Sequence, residues 1–431
     1  MKDLTRRELV KMTGALAVGA ALTDFGVMEQ MFAKADAAAV RRKLGFGMMR
    51  LPMMEAANPA HVVPANRAYG FDTSGKYAIN VREVCRMVDK FIDSGFTYFD
   101  TSYVYLGGRS ESVVHEALVK RHPRDSYTLA TKLPTFAITE KAQVAQIFEE
   151  QLKKCGVDYF DYYLLHNIQN HLYDKYITPL GEFEYAKAQK DAGRIRNLGF
   201  SFHDSPELLD RILTEHPEVD FVQIALSYYD WDSYFVRSRR CYEVIRKHGK
   251  NVVVMQPVKG GTLANIPASA EQLMKEANPA MSPASWAIRF AAGLPGVIAV
   301  LSGMSSMEQI EDNASYMQEF KPLTKKELEV LNKVVPMLKE SGPLHIADYS
   351  KYEGISPDGM PVAGVLDAYN SCQIQPDPTF SAENNYYKTF RFAAKIPEGE
   401  SWVKGQLMDK DGNDVTEMVK KAESWLMENT F

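Results

Sequence analysis

Cysteine is scarce in this chain, and the few cysteines present are not clustered. The 431 residues include four cysteines, and no two of them form a CxxC pair. They lie at Cys85, Cys155, Cys241 and Cys372. Zinc sites and disulfide frameworks need cysteines at close, regular spacings, so the sequence argues against both, and we expect no metal site.

Positive charge is also limited. Lysine and arginine number 50 against 55 aspartates and glutamates, which gives a formal net charge of −5. Nucleic-acid-binding surfaces are strongly basic, so this balance argues against a nucleic-acid partner. The hydrophobic content of 45% and the charged content of 24% are ordinary for a soluble globular protein.

The chain has no apolar run long enough for an obvious membrane span, but residues 1–39 have the layout of an export signal. Arg6 and Arg7 precede the short apolar run MTGALAVGAAL, and the small-residue stretch AKADAAA ends at Ala39. This order is typical of secretory signals. The paired arginines resemble the twin-arginine type, whose export machinery carries folded proteins. We therefore expect a periplasmic or other extracytoplasmic protein, tethered to the membrane only if the signal is retained. The alternative is an amphipathic N-terminal helix that stays in the cytoplasm.

A regular alternation of apolar strands and amphipathic helices begins at Leu44. Eight strand–helix units follow one another, and this alternation is typical of a parallel sheet covered by helices. We predict an α/β fold, a closed (β/α)8 TIM barrel over residues 40–321, followed by a mostly helical C-terminal extension over residues 322–431. The alternative, a doubly wound sheet, predicts GxGxxG after the first strand, and GFGMMR there lacks that pattern.

Polar residues near the ends of the predicted strands are the candidates for an active site. In (β/α)8 barrels the active site lies at the carboxyl-terminal ends of the strands. The candidates are Asp100, Tyr105, Lys132, His166, Ser201, Gln223, Gln256 and Ser302. Any one of them alone is more often a cap, a solvated loop residue or a hydrogen-bonded core residue. Their placement on one rim of one barrel favours a shared site.

Four of these residues have complementary chemistry. Tyrosine has a pKa of about 10 in water, and a lysine ammonium beside it is expected to lower that pKa. We therefore predict Tyr105 as the general acid, Lys132 as the residue that tunes it, and Asp100 as the carboxylate that holds the lysine. His166 is predicted to orient a carbonyl oxygen by hydrogen bonding. No side chain donates hydride, so this chemistry requires a nicotinamide cofactor.

The same residues stand in motifs that resemble the aldo-keto reductase family, over Lys43 to Asn313. The stretch FDTSYVY is similar to the family's Asp-Thr-Ala-x-x-Tyr, ATK to its lysine strand, and LLHN to its histidine strand. The resemblance implies a barrel fold, a catalytic role for the four residues just named, and a small-molecule carbonyl or alcohol as substrate.

The resemblance also implies a set of nucleotide-binding positions, some of which depart from the family pattern. They are Ser201, His203, Gln223, Met255, Gln256, Ser302, Gly303, Ser305, Gln309 and Asn313. Phe202 stands at the usual asparagine, with His203 as a substitute for its amide contact. Met255 or Gln256 replaces an aromatic residue stacked on the nicotinamide. Lysine and arginine are common at the positions of Gly303 and Gln309. Their absence weakens the expectation of NADP(H) and leaves NAD(H) open.

The C-terminal extension resembles a ferredoxin-like domain that one branch of the family carries. That domain binds iron–sulfur clusters through runs of cysteines, but Ser356 and Asp409 stand at two of its cysteine positions. Cluster ligation needs thiolates. We therefore expect no iron–sulfur cluster, and a degenerate domain that acts as a helical cap over the barrel rim.

The sequence as a whole predicts a nicotinamide-dependent oxidoreductase that interconverts a carbonyl and an alcohol. Because this machinery carries folded proteins, our hypothesis is that the nucleotide binds before transport and stays tightly held. Two alternatives stay open. One is a non-catalytic nucleotide-binding or redox-partner subunit that keeps the barrel, and the other is a lyase or hydrolase on the same fold. The latter needs a metal or carboxylate cluster at the strand ends, where Asp100 is the acidic candidate.

Overall fold

The computed structural model describes residues 43–55, 77–376 and 384–429. The predicted signal at residues 1–39 lies outside the described residues. Within those three ranges, no helix combines the length and the apolar character needed to cross a membrane.

Eight parallel strands close into a barrel, which confirms the predicted (β/α)8 fold. In chain order the strands of the structure are β1 (Leu44–Gly47), β2 (Met53–Glu55), β3 (Tyr77–Ile79), β4 (Tyr98–Asp100), β5 (Thr128–Leu133), β6 (Phe160–Ile168), β7 (Ile195–Phe202), β8 (Phe221–Ala225), β9 (Asn251–Met255) and β10 (Val297–Ser302). Strands β2 and β3 form a separate antiparallel pair. In the barrel, β1 lies between β10 and β4, so that Phe46 pairs with Ser302 and Gly47 with Asp100.

The inside of the barrel is filled by apolar side chains. They are Tyr98, Ala130, Leu164, Phe221, Val253, Ala299 and Leu301. Gly199 on β7 leaves the space that one of these rings needs, because a Cβ atom there would lie 2.5 Å from the ring of Phe221. The interior is therefore a packed core, and a functional site has to lie at one end of the barrel.

Helices cover the outside of the strands. They are α1 (Val81–Asp93), α2 (Ser110–Val114), α3 (Lys141–Cys155), α4 (Glu182–Asp191), α5 (Pro206–Glu215), α6 (Ser238–Lys247), α7 (Ala268–Ala277), α8 (Pro283–Gly293), α9 (Met307–Met317) and α10 (Lys325–Glu340). The side chains of Asn80, Ser205 and Ser282 cap three of them by accepting a backbone N–H. A π-helical turn, His115–Val119, continues α2. The apolar faces of these helices and the outer faces of the strands form the main hydrophobic core.

Helix α10 packs with the barrel. Leu328 and Leu331 belong to the main core. Arg289 of α8 donates to both carboxylate oxygens of Glu327, at 2.6 and 3.1 Å, in a buried ion pair. The predicted division between two domains at residues 321 and 322 stays a prediction, although this helix lies beyond it and shares the core of the barrel.

Three further helices lie in the rest of the predicted C-terminal extension, beyond α10, and are called the extension below. They are α11 (Val362–Gln373), α12 (Asn384–Ala393) and α13 (Thr416–Asn429). They enclose a second hydrophobic cluster that contains Leu366, Tyr387 and Trp402. The same cluster takes in Ala225 of β8 and Phe235 of the loop that follows β8. The extension therefore sits on the carboxyl-terminal rim of the barrel.

Candidate active site

The four predicted catalytic residues lie at the carboxyl-terminal ends of three neighbouring strands. Asp100 ends β4, Lys132 lies one residue before the end of β5, and His166 lies two residues before the end of β6. Tyr105 follows β4 in the next loop. Because β4, β5 and β6 are adjacent and parallel, the fold brings all four to one sector of the rim.

A buried ion pair joins Lys132 to Asp100. Lys132 Nζ lies 2.5 Å from Asp100 Oδ1 and donates to the backbone oxygen of Thr101 at 2.8 Å. Burial by itself lowers the pKa of Lys132, but the nearby Asp100 and Tyr105 outweigh it and hold that pKa above its usual value. The ammonium therefore stays charged and fixed in position.

Tyr105 lies against this ammonium. Lys132 Nζ is 4.7 Å from the centre of the Tyr105 ring, and the tyrosine is almost fully buried. Burial raises the pKa of Tyr105 more than Lys132 lowers it, so the net shift is upward. Lys132 acts in the predicted direction, but the predicted net lowering is wrong because burial is the larger effect. The phenol is kept protonated, which is the form that a proton donor needs.

A left-handed turn places Tyr105 on the rim. Leu106 has a φ of 54°, and Gly107 follows with a φ of 61°. This conformation costs little for glycine but is unfavourable for leucine. The side chain of Leu106 is completely buried in the main core, and this apolar burial offsets the backbone cost. Backbone strain of this kind tends to occur at functional sites.

His166 faces the same sector. Its Nδ1 lies 3.1 Å from Ser102 Oγ, and its ring meets that of Tyr105 edge-on with 5.8 Å between the ring centres. Burial, together with the charge of Lys132 and the neighbouring His203, holds the pKa of His166 well below its usual value. The imidazole is therefore neutral. In the tautomer in which Ser102 Oγ donates to Nδ1, the ring proton lies on Nε2, where it is available to a substrate oxygen.

A buried polar network behind Lys132 was not found from the sequence. Thr131 Oγ1 and Gln151 Nε2 donate to Glu111 Oε1 at 2.7 and 2.8 Å. Gln151 Nε2 also donates to the backbone oxygen of Lys132 at 3.0 Å, and Gln151 Oε1 accepts from Tyr163 OH at 2.7 Å. The network fixes the backbone that carries Lys132. The available signal was Glu111 itself, a carboxylate in the first turn of α2, two residues before the apolar Val113.

The predicted nicotinamide residues on β7 and β8 are neighbours in the sheet. Ser201 pairs in register with Gln223, and both are almost fully buried. Ser201 Oγ accepts from the backbone N–H of Asn167 at 2.8 Å, and Gln223 Nε2 donates to Met255 Sδ at 3.6 Å. The buried Gln223 Oε1 has no hydrogen-bond partner among the described residues. An amide acceptor beside a hydroxyl fits the carboxamide of nicotinamide, which carries two N–H donors.

The other nicotinamide-side residues lie where the extension meets the barrel. Met255 ends β9, and Gln256 directly after it has a left-handed φ of 55°. Met255 packs against the hydrophobic cluster of the extension. The ring of His203 lies 5.9 Å from that of Tyr386 in the extension, whereas Phe202 is buried in the main core of the barrel. The extension therefore forms a wall on this side of the candidate site.

The end of β10, the loop after it and helix α9 hold the predicted phosphate-side residues. The backbone N–H of Ser305 donates to Gln309 Oε1 at 2.6 Å, and Asn313 Nδ2 donates to Ser302 Oγ at 2.9 Å. Asn313 is buried, while Gly303 and Ser305 lie at the surface of the rim. Gln309 and Asn313 thus shape the loop. Of the predicted phosphate-side residues, Gly303 and Ser305 lie on its solvent-exposed side.

Comparison with known proteins agrees with this geometry. Residues 68–336 match the model of the aldo/keto reductase family. The uncharacterized oxidoreductase YqkF of Bacillus subtilis (strain 168) is 24% identical over 276 residues, which are 57% of this chain and 85% of that protein. L-galactose dehydrogenase of Arabidopsis thaliana is 23% identical over 279 residues, which are 60% of this chain and 83% of that protein.

Solved structures share the fold. The aldo/keto reductase from Klebsiella pneumoniae in complex with NADP and acetate has a TM-score of 0.52 and 21% identity, covering 68% of this chain and 91% of its own. The holo form of the aldo-keto reductase AKR11C1 from Bacillus halodurans has a TM-score of 0.50 and 23% identity, with the same coverage of 68% and 91%. These likenesses concern the barrel. The family match extends over more than half of the chain, and on that ground the chain belongs to the aldo/keto reductase family.

Proposed function

We propose that this chain interconverts an aldehyde or ketone and the corresponding alcohol, with Tyr105 as the residue that gives and takes the proton. One observation carries the proposal: the ammonium of the buried Lys132–Asp100 pair lies against the ring of Tyr105, and His166 stands beside that ring. Family membership supports the reaction class, which is carbonyl–alcohol oxidoreduction with a nicotinamide cofactor.

Each residue of the set has a separate task. When bound, the nicotinamide nucleotide exchanges hydride with the substrate carbon. Lys132 stabilises the phenolate that forms when Tyr105 gives its proton to the carbonyl oxygen, because opposite charges interact strongly in a buried site. The N–H of neutral His166 donates to the same oxygen and orients the carbonyl toward the phenol.

Each part of the nucleotide has residues on the rim that fit its chemistry. Gln223 and Ser201 would hold the carboxamide, and Met255 would cover one face of the nicotinamide ring with its polarizable thioether. The loop that carries Gly303 and Ser305 would lie at the phosphate end, at the start of α9, where backbone N–H groups favour anions. The substrate is a small molecule that carries the reacting carbonyl or hydroxyl group.

Nucleotide titration combined with a single substitution tests the proposal. The full chain, freed of any bound nucleotide, is titrated with NADPH and with NADH, and turnover is measured on a panel of aldehydes and ketones. Tyr105→Phe is expected to lower kcat by at least about 100-fold, since a positioned general acid contributes roughly that much, while nucleotide affinity stays unchanged. Tyr103→Phe is the matched control, because the hydroxyl of Tyr103 in the same loop donates to Glu150 at 3.0 Å.

The alternative function is a non-catalytic nucleotide-binding or redox-partner subunit, and the departures at Phe202, Met255, Gly303 and Gln309 favour it. The same two measurements separate it from the enzyme. A wild-type chain that binds nucleotide but turns over none of the panel, whatever stands at position 105, would support the alternative. Loss of turnover in Tyr105→Phe with retained nucleotide binding would exclude it.

We also propose that the twin-arginine machinery exports the folded chain with its nucleotide already bound. The proposal is supported by Arg6 and Arg7 ahead of the short apolar run in residues 1–39. Replacing both arginines by lysine is expected to retain the protein in the cytoplasm, as measured by cell fractionation. Recovery of the wild-type chain from the exported fraction without stoichiometric nucleotide would contradict loading before transport.

A further inference from the structure

We propose that Arg50, in the loop after β1, supplies the positive charge that binds the 2′-phosphate of NADP. It takes the place of the basic residues that are absent at positions 303 and 309. The inference rests on the proposed function and adds to it the identity of the cofactor and of the residue that selects it. Bidentate guanidinium contacts are especially suited to phosphate, so an arginine here favours NADP over NAD.

The stem of Arg50 lies directly over Gly303. A Cβ atom built at position 303 would meet Cδ, Cβ and Cγ of Arg50 at 3.4, 3.5 and 3.7 Å. The methylene groups of the arginine therefore fill the space beside the loop that a side chain at position 303 would use. The absence of a side chain at Gly303 and the presence of an arginine at position 50 are two parts of one arrangement.

A hydrogen bond joins the two loops. Ser305 Oγ donates to the backbone oxygen of Arg50 at 2.9 Å, and the backbone N–H of Ser305 donates to Gln309 Oε1 at 2.6 Å. One serine thus ties the loop after β1 to the loop after β10, and Gln309 fixes that serine in turn. Arg50 is consequently anchored by its backbone at the phosphate end of the candidate site.

The pairing of the first and last barrel strands explains why Arg50 reaches this loop. Phe46 of β1 is in register with Ser302 of β10, so the two following loops leave the barrel side by side. A Cβ atom at Gly47 would lie 3.3 Å from the backbone oxygen of Ser302, which shows how closely the chains approach. A charge on either loop therefore acts on the same patch of the rim.

Glu308 is an acidic residue close to this patch. It lies in the first turn of α9 and is exposed, and its hydrogen bond with Ser306 holds its pKa below the usual value. Its negative charge opposes a phosphate, and a cation nearby offsets this repulsion. This opposition predicts the effect of Glu308→Gln, which should strengthen NADPH binding while Arg50→Gln weakens it.

Binding measurements on the full chain test the inference without any turnover. Dissociation constants for NADPH, NADH and 2′,5′-ADP are measured by fluorescence titration and by competition. Arg50→Gln is expected to raise the dissociation constants of NADPH and 2′,5′-ADP by about 10- to 100-fold, which is the range of a lost charge-assisted hydrogen bond. The dissociation constant of NADH is expected to change by less than about threefold. Arg240→Gln is the matched control, because Arg240 is an exposed arginine of α6 that pairs with Glu207.

A double variant provides a rescue. Arg50→Ala removes the stem from above position 303, and Gly303→Lys then restores a positive charge where family members often carry one. Recovery of NADPH affinity in Arg50→Ala/Gly303→Lys, but not in Arg50→Ala alone, would support the assignment. The φ angle of Gly303 is not left-handed, so the lysine introduces no backbone strain there.

The outcomes separate this inference from the proposed function. If the wild type binds NADPH and Arg50→Gln lowers the affinity for NADPH and for NADH equally, Arg50 does not bind the 2′-phosphate. The inference is then wrong, while the oxidoreductase proposal stands. An NADPH constant unchanged in Arg50→Gln has the same consequence. If the folded wild type binds neither dinucleotide, both proposals fail together.

Discussion

At the scale of single residues, the chemistry depends on which protonation states burial selects. Burial raises the pKa of Tyr105 despite the ammonium beside it, and it lowers the pKa of His166. Both shifts favour the neutral form of the side chain. The acid of the reaction is therefore a phenol that keeps its proton at neutral pH, and the orienting group is an imidazole rather than an imidazolium.

These directions predict the pH profile of the reaction. Carbonyl reduction needs the protonated phenol, so kcat/KM is expected to stay flat from about pH 6 to pH 9 and to fall only as the pH approaches the pKa of Tyr105, which burial holds above the usual value for tyrosine. Alcohol oxidation needs the phenolate and should rise over the same range. Because the pKa of His166 lies below its usual value, no inflection is expected near pH 6.5. An inflection there that vanishes in His166→Gln would contradict the assignment.

A second residue-scale prediction concerns stability. Glu182, in the first turn of α4, is fully buried, and neither of its carboxylate oxygens has a hydrogen-bond partner among the described residues. Burial raises the pKa of Glu182 to about 8, above the unfolded value of about 4.3. The folded state therefore holds a proton that the unfolded state releases. This group's contribution to stability is intact below about pH 4 and declines as the pH rises to about 8, by about 1.4 kcal/mol per pH unit.

Glu182→Gln removes this dependence. The melting temperature of the variant minus that of the wild type is expected to be larger at pH 8 than at pH 5, as measured by thermal unfolding at both pH values. The change between the two pH values is the quantity of interest, because the new amide also lacks partners. Glu184→Gln, at an exposed position of the same helix, is the control and should show no such gain. An equal pH dependence in Glu182→Gln and the wild type would contradict the raised pKa.

Single residues also show why the site was only partly predictable. The four predicted catalytic residues could be read from the chain because each lies near the end of an apolar strand or in the loop after it, and strand ends meet at one rim in a parallel barrel. The net pKa of Tyr105 could not be, since it depends on how deeply the ring is buried. Glu111 and Arg50 act across strands far apart in the chain, and no local pattern marks such contacts.

At the scale of elements, the contacts between the extension and the barrel bear most directly on function. Helix α12 meets the loops after β6, β7 and β8. Asn170 Nδ2 donates to the backbone oxygen of Thr389 at 3.1 Å, and the ring of Tyr386 contacts the rings of His203 and Phe235 at 5.9 and 5.7 Å. The extension therefore buttresses the side of the rim assigned to the nicotinamide.

This contact predicts an effect on nucleotide release. Aromatic pairs contribute about 0.5–1.5 kcal/mol beyond their burial, so Tyr386→Leu is expected to accelerate NADPH dissociation by roughly two- to tenfold in stopped-flow displacement. Trp425→Leu is the matched control. Trp425 packs on Tyr369 within the extension, with 5.7 Å between the ring centres, and its loss should leave the release rate unchanged. Equal acceleration by both variants would point to general loosening of the extension instead.

Elements were predicted better than the contacts between them. The barrel strands were recognisable because strands buried on both faces are continuously apolar. In the helices, by contrast, apolar residues recur every three to four positions. Strand β6 runs past His166 to Ile168, and β9 stops at Met255, one residue before Gln256. The seating of α12 on the rim was not predictable in detail, because it depends on side chains of two separate segments.

At the scale of the whole molecule, the seam between the first and last barrel strands has a consequence for biogenesis. The loops that carry Arg50 and Ser305 come together only when β1 pairs with β10, and therefore only after the ribosome has made the entire barrel. A ligand that spans this seam distinguishes finished chains from truncated ones. By mass action it also stabilises the closed barrel, and raises its free energy of unfolding by about 2.7 kcal/mol at a ligand concentration 100 times the Kd. Nucleotide loading would then act as a checkpoint for complete synthesis.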